Sequence, residues 1–401
     1  MEIEDLYINS DRLIANVSLK HKRYLYNSID WNQRMICIKG ARGVGKTTMM
    51  KQYIKENFSA DHKALYITLD DFWFTNHHLI DIADFHYKHG GTALFIDEVH
   101  HYPFPTWSIE LKNVYDRYPD MKIVFTGSSM LQIDNSLADL SRRCIFYLMH
   151  GMSFREYLDF YDICHIEPLK LEDVFTNHVQ FSLDVATKIK ILPNFANYLR
   201  YGYYPFYKDV ESSYGQILQQ IASNILDVDL PSVEKVEYST ILKAKRLFAL
   251  ISQMVPFTVN LNEISKSIDT PRQSVTKILN LLKKAALVNL LYSGKSTMSQ
   301  LVKPEKVYLE NTNLIYALTN RADTGNVRET FFANSIVRSH DVTFSGNGDF
   351  LIDGKYTIEV GGKNKKFNQI KDIPDSFLAI DDIETGYGNK IPLWIFGMIE
   401  R

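Results

Sequence analysis

Apolar residues along this chain come in two rhythms. In the first third they form short, nearly unbroken runs: Met35-Ile36-Cys37-Ile38, Ala64–Leu69 (interrupted by Thr68), Ala93–Ile96, Ile123–Phe125 after Lys122, and Cys144–Leu148. Runs this short, bounded by polar residues or glycine, read as strands buried on both faces. The longer stretches between them read as helices, for example over Met49–Ile54. Strands alternating with helices predict an α/β fold, a parallel sheet covered by helices, over residues 1–150.

Beyond residue 150 the helical period takes over. Residues 151–238 read as helical pieces joined by aromatic-rich connections such as Tyr201-Gly202-Tyr203-Tyr204-Pro205-Phe206-Tyr207, whose rings are expected to pack a core or an interface. Over 239–310, Leu247, Phe248, Ile251 and Met254 mark one helix, and Leu261, Ile264 and Ile268 a second. Val275, Ile278, Leu279 and Leu282 form the apolar stripe of a third, with Thr270 as its cap and Pro271 at its first position. Val288–Tyr292, Ser293-Gly294-Lys295 and Val307–Leu309 can form a hairpin wing, so the segment predicts a winged helix-turn-helix. Residues 311–401 read as a small α+β domain.

Composition narrows the classes. The 401 residues carry 45 Lys+Arg against 47 Asp+Glu, a net charge of −2, which excludes a nucleic-acid binder that is basic throughout. The balance is uneven, however: residues 241–300 hold nine Lys/Arg and two acids. That excess suits a phosphate backbone, and Arg272, Gln273 and Lys277 on the outward side of the third helix are the expected DNA contacts. Cys37, Cys144 and Cys164 lie far apart, with neither zinc-site nor disulfide spacing, and read as reduced thiols. No apolar run approaches the ~18–20 residues of a membrane span, and the acidic amino terminus is wrong for a secretory signal. A cytoplasmic protein without a membrane partner is expected.

The candidate chemistry begins at the end of the first strand. Gly40-Ala41-Arg42-Gly43-Val44-Gly45-Lys46-Thr47-Thr48 is a G-x-x-x-x-G-K-T loop between a strand and a helix. Its glycines let successive N–H groups turn inward, and the helix starting near Lys46 adds its positive dipole end. Lys46 is expected to reach the β and γ phosphates of ATP, and Thr47 to ligate Mg²⁺. The run Ala93–Glu98 ends in two carboxylates, of which Asp97 is expected to hold the Mg²⁺ shell and Glu98 to polarise the attacking water. The neighbouring run ends in Thr126-Gly127-Ser128-Ser129; Ser128 is the expected contact to the γ-phosphate or the water, with Thr126 and Ser129 as rivals. His100 and His101 read as surface or loop residues. Arg142-Arg143 stand before the last strand, where an arginine can serve as a finger to nucleotide, in cis or across a subunit boundary, or be a solvated pair.

These segments, with Leu140-Ser141-Arg142-Arg143 and Met152-Ser153-Phe154-Arg155-Glu156-Tyr157 after them, resemble the AAA+-superfamily ATPases of bacteria and archaea that carry a C-terminal nuclease-fold domain. The resemblance spans nearly the whole chain. It makes Arg143 the matching arginine and leaves Arg142 unassigned. It also implies a PD-(D/E)xK nuclease-like domain over 311–401, with Glu329, Asp349, Glu359 and Lys363 as its site. A working lysine there stands two residues after the glutamate; here that position is Gly361. In an extended strand Lys363 would be anchored about 13 Å from Glu359 rather than about 6.6 Å, unless Gly361-Gly362 bulge.

The expectation is therefore a Mg²⁺-dependent ATPase that drives or switches a DNA- or protein-binding carboxyl-terminal half. The alternatives are an ATP-regulated metal-dependent DNA nuclease and a non-catalytic nucleotide-dependent DNA-binding switch. DNA through the winged helix, a protein partner and a second copy of the chain are the expected partners.

Overall fold

A computed structural model describes residues 2–58, 62–127, 140–231, 236–254, 257–258, 260–294, 303–319 and 321–400. It divides into two compact units, Met1–Gly151 and Met152–Arg401. The three segments expected after residue 150 all lie within the second.

The first unit is a five-stranded parallel sheet of β1 (Met35–Lys39), β2 (Ala64–Thr68), β3 (Ala93–Asp97), β4 (Lys122–Gly127) and β5 (Ile145–Leu148), in the order β2-β3-β4-β1-β5. Its central strands are apolar on both faces because helices cover both: every residue of β3 is buried, as are the first four of β1. Met35, Cys37, Leu65, Ile67, Leu94, Ile96, Ile123 and Phe125 share one core; each such large side chain contributes about 1.5–3 kcal/mol on burial. This is the α/β fold of P-loop NTPases. Register places Ile38 beside Thr126 and Lys39 beside Gly127, with Ile96 beside Phe125. The carboxyl ends of β1, β3 and β4 therefore open on one sheet edge, where ligands of such sheets bind.

In the second unit, helices Phe154–Phe160, Leu171–Lys188, Ile191–Tyr201 and Tyr214–Asn224 come first. Tyr203 and Tyr204, in the aromatic connection, are buried among them. Helices Tyr238–Met254, Leu261–Ser267 and Arg272–Lys284 follow, with a small antiparallel sheet of β6 (Phe257–Thr258), β7 (Val288–Leu291) and β8 (Lys306–Leu309), ordered β6-β8-β7. The helix Arg272–Lys284 buries Val275, Ile278, Leu279 and Leu282. Its start differs from expectation. Asp269 turns the chain through a positive φ of 48°, the Thr270 hydroxyl donates to Ile268 O, and Pro271 precedes the helix instead of opening it. The segment joining β7 to β8, with Lys295, lies partly outside the described residues.

The chain ends in a five-stranded mixed sheet of β9 (Val342–Phe344), β10 (Phe350–Ile352), β11 (Tyr356–Gly361), β12 (Ser376–Ile380) and β13 (Lys390–Pro392), in sequential order. β9 to β11 pair antiparallel, and β11 to β13 parallel. The helix Thr324–Ile336 packs on β11 and β8.

Candidate functional site

The loop after β1 is shaped by its glycines. Gly43 and Gly45 take φ of 82° and 101°, a left-handed backbone that side chains resist. Gly40 is required for a different reason: a Cβ there would stand 2.2 Å from the Met149 carbonyl oxygen at the exit of β5. Arg23 clamps the loop from below. Its buried guanidinium donates to the Val44 carbonyl and, at 2.7 Å, to the His150 carbonyl. The sequence carries no signal for Arg23, which is one of the basic run Lys20-His21-Lys22-Arg23 and belongs to no motif.

The helix Lys46–Asn57 starts directly from Gly45. Lys46 is buried, and its ammonium donates to the Gly40 and Ala41 carbonyls, each at 2.9 Å. The amine is thus folded onto the loop that a phosphate group would share with it. Ala41 and Arg42 line the loop, Val44 is buried beneath it, and Thr48 is exposed on the first helical turn.

Thr47 and Asp97 meet: the Thr47 hydroxyl donates to Asp97 Oδ2 at 2.5 Å. Two further hydroxyls converge on this carboxylate, Tyr66 at 2.9 Å and Thr126 from β4. Burial, then the neighbouring Glu98, push the Asp97 carboxyl above the usual carboxylate range, and the three hydroxyls pull the other way. A hydroxyl and a buried carboxylate are hard oxygen donors of the kind that suits Mg²⁺, so Thr47 and Asp97 are the residues that could hold it. Tyr66 escaped sequence reading because nothing in a strand run reveals which neighbouring strand its ring will face.

Glu98 sits at the strand end with a φ of 54°. For a non-glycine residue that conformation costs about 1–3 kcal/mol. Its N–H donates to Thr126 Oγ1 at 3.2 Å, and its side chain is 21% exposed, at the rim of the cleft. Thr126, one of the rivals to Ser128, is thereby engaged with both acids. Ser128 and Ser129 lie outside the described residues.

Of the two histidines expected on the surface or in a loop, His100 departs from expectation and His101 is half-buried. His100 is buried, its Nδ1 3.3 Å from a Glu98 carboxylate oxygen, and burial drives its pKa down to about 2. His101 pairs through Nδ1 with Asp70 at the end of β2, and Arg42 Nη2 lies 3.1 Å from its Nε2. Asp70 is the main reason the His101 pKa is raised. A short helical turn over Val99–His101 makes this arrangement, directing one imidazole inward and the other across the cleft.

Arg143 stands elsewhere. It lies just before β5, whose Ile145 pairs with Ile36, so it is at the sheet edge opposite the loop. There it makes a two-point pair with Asp116 at 2.8 and 2.9 Å. Four strand residues separate the two edges, about 13 Å, so Arg143 does not reach the loop of its own chain. The cis alternative is corrected on that ground.

In the second unit, Glu329, Asp349 and Glu359 converge, and the lysines that join them are not the expected one. Lys306 from β8 donates to Glu329 Oε2 and Asp349 Oδ1, both at 2.9 Å. The Tyr308 hydroxyl donates to Glu329 at 2.8 Å, and the Val360 N–H to Asp349 Oδ2 at 2.9 Å. Burial, then Asp349, raise the Glu329 pKa. Lys363 is exposed; Lys365 forms the ion pair with Glu359. The reason is steric. A Cβ on Gly361 would lie 2.7 Å from the Lys365 side chain, so the bare glycine is what lets that stem lie across the strand. Arg272, Gln273 and Lys277 are exposed on one helix, apart from this cluster.

Residues 32–158 match a family model described as an AAA domain, and residues 192–325 one described as a domain of unknown function (DUF8612). The chain is 26% identical over 305 residues to the uncharacterized protein MJ1637 of Methanocaldococcus jannaschii, covering 72% of this chain and 63% of that protein's length. Among solved structures it is similar to the Walker-type ATPase PABY2304 of Pyrococcus abyssi, at 11% identity and a TM-score of 0.45, over 74% of this chain and 95% of that one. It is also similar to the Aeropyrum pernix ORC1 protein in a complex with DNA, at 12% identity and a TM-score of 0.32, over 78% and 91% of the two chains.

Proposed function

We propose that the protein is a Mg²⁺-dependent ATPase whose nucleotide state drives or switches a DNA- or protein-binding carboxyl-terminal half. The observation that carries this reading is the junction of Thr47 and Asp97 at 2.5 Å, made at the mouth of a loop that Gly43 and Gly45 bend through positive φ. In this reading the loop amides from Gly40 to Thr48 bind the phosphates. Lys46 leaves the Gly40 and Ala41 carbonyls for the β and γ oxygens. Mg²⁺, held through Thr47 and Asp97, would supply charge neutralisation on those oxygens. Glu98 accepts the proton of the attacking water, and the N–H contact with Thr126 fixes the backbone from which its carboxylate projects. Arg143, on the opposite edge, is available to a nucleotide on a second copy of the chain.

The test is a pair of substitutions. Lys46→Ala should abolish ATP binding in a fluorescent-nucleotide titration. Glu98→Gln should bind ATP with near-native affinity while phosphate release falls by about 10²–10⁴. Normal turnover in Glu98→Gln removes the water-activating role.

On the binding side, Arg272, Gln273 and Lys277 project from one exposed helical face. DNA affinity should fall with salt, and Lys277→Ala should reduce the slope of log affinity against log salt by about one. An unchanged slope would place the interface on another element.

A second reading is favoured by one observation. Glu329, Asp349 and Glu359, from three separated segments, converge with two lysines on a shared site, an arrangement suited to metal-assisted phosphodiester cleavage. In that reading Lys365, not Lys363, supplies the cation beside Glu359.

A further inference from the structure

We propose that Glu329, Asp349 and Glu359 form a divalent-cation site that Lys306 keeps closed, its ammonium occupying the place of the cation between Glu329 and Asp349. This concerns how the site of the second reading is regulated, and it rests on that reading for the purpose of the cation.

Four observations lead here. Lys306 Nζ is equally distant, 2.9 Å, from oxygens of two carboxylates that belong to a helix and to the start of β10. It arrives from β8, a strand of the other sheet, whereas the acids stand on the helix Thr324–Ile336 and beside or within β10 and β11. Both acids are held in place without it: Tyr308 donates to Glu329 and the Val360 N–H to Asp349. Finally, Glu359 is 3% exposed, and its Oε2 is buried without a hydrogen-bond partner among the described residues, although Oε1 is paired with Lys365. A buried anionic oxygen without a donor is costly and marks an absent partner.

Charge and chemistry agree on what that partner is. Three carboxylates face two ammonium groups, so one negative charge is uncompensated. A dication replacing the Lys306 ammonium brings the cluster to neutrality and gives Glu359 Oε2 a ligand. All donors are oxygens, which selects Mg²⁺ or Mn²⁺ over softer ions. Repulsion between a dication and an ammonium makes the two occupants exclusive. The Lys306 side chain is 15% exposed, and its long stem can carry the amine out to water.

The experiment is a calorimetric titration of the full chain, free of nucleotide, with Mn²⁺. Lys306→Met should bind Mn²⁺ about tenfold tighter than wild type, because an ion that binds only the open form loses affinity in proportion to that form's population. Adding Glu359→Gln to Lys306→Met should abolish the gain. Equal affinity in wild type and Lys306→Met, or a gain that survives Glu359→Gln, overturns the proposal. Should Lys306→Met fail to melt cooperatively, Lys306→Gln replaces it. Amine labelling of the wild type gives an independent readout: saturating Mn²⁺ should raise Lys306 acetylation, and unchanged labelling counts against expulsion of the amine. Plasmid cleavage separates the two readings. A Lys306→Met protein that binds Mn²⁺ tightly but leaves DNA intact keeps the plug and removes the phosphodiesterase. Wild type that cleaves as fast as Lys306→Met removes the plug and keeps the phosphodiesterase.

Discussion

Asp97 shows how much of this site one side chain organises. Three hydroxyls from different elements, Thr47, Tyr66 and Thr126, end on its two oxygens. The carboxylate is satisfied without a metal, and its burial keeps it ready for a strong cation. Glu98 beside it has the opposite character, with a strained backbone and a side chain at the rim. Removing that strain should expose the trade between stability and chemistry: Glu98→Gly should raise the denaturant midpoint, by about 1 kcal/mol in stability, while turnover is lost. A buried histidine away from the cleft sets a pH dependence. His86 is bound by Tyr7 and by the Ala93 carbonyl at 2.9 and 3.1 Å, and burial holds its pKa below the ordinary 6.5. The unfolded chain takes up a proton as pH falls through that ordinary value, whereas the folded chain refuses it. The contribution of His86 is therefore complete above pH 6.5 and is lost below it, at up to about 1 kcal/mol per pH unit. Urea midpoints measured on either side of that value should fall on acidification, and less steeply in His86→Gln.

At the scale of elements, two glycines decide where functional groups go. Gly40 lets the loop pass so close to the exit of β5 that a Cβ would stand 2.2 Å from the Met149 carbonyl oxygen, and that obstacle is backbone, which cannot rotate away. Gly40→Ala should therefore displace the loop. A loss of ATP affinity of about tenfold or more with a smaller loss of stability is expected, read by nucleotide titration beside thermal melting. Gly361 works through a softer neighbour, the stem of Lys365. This difference explains why Gly40 is legible in the sequence and the lysine that meets Glu359 is not. The G-x-x-x-x-G-K-T spacing lies within one contiguous turn, so its geometry is written locally. Which of Lys363 and Lys365 folds back on Glu359 depends on the path of the chain after β11, because both stand an even number of residues from Glu359 and strand alternation does not separate them.

At the scale of the molecule, the sheet order β2-β3-β4-β1-β5 brings the acid-bearing strand and the loop to one edge and sends Arg143 to the other. If Arg143 serves a second copy, turnover per chain should rise with protein concentration, and Arg143→Ala should lower the plateau by about 10³. Turnover independent of concentration and of Arg143 would leave the arginine to its pair with Asp116. By itself the amino-acid sequence determined the buried parallel strands, the phosphate loop, the two acids at the end of β3 and the apolar stripe of the helix Arg272–Lys284. Each is a pattern among near neighbours, and a period of two, of 3.6, or a fixed glycine spacing is legible without the rest of the chain. Tertiary structure alone decided which hydroxyls reach Asp97, that His100 turns inward, that Arg23 clamps the loop, and that Lys306 and Lys365 meet the three acids. Those groups come from segments far apart in sequence, and their meeting is set by strand order and by how closely backbones approach, quantities that no local pattern encodes.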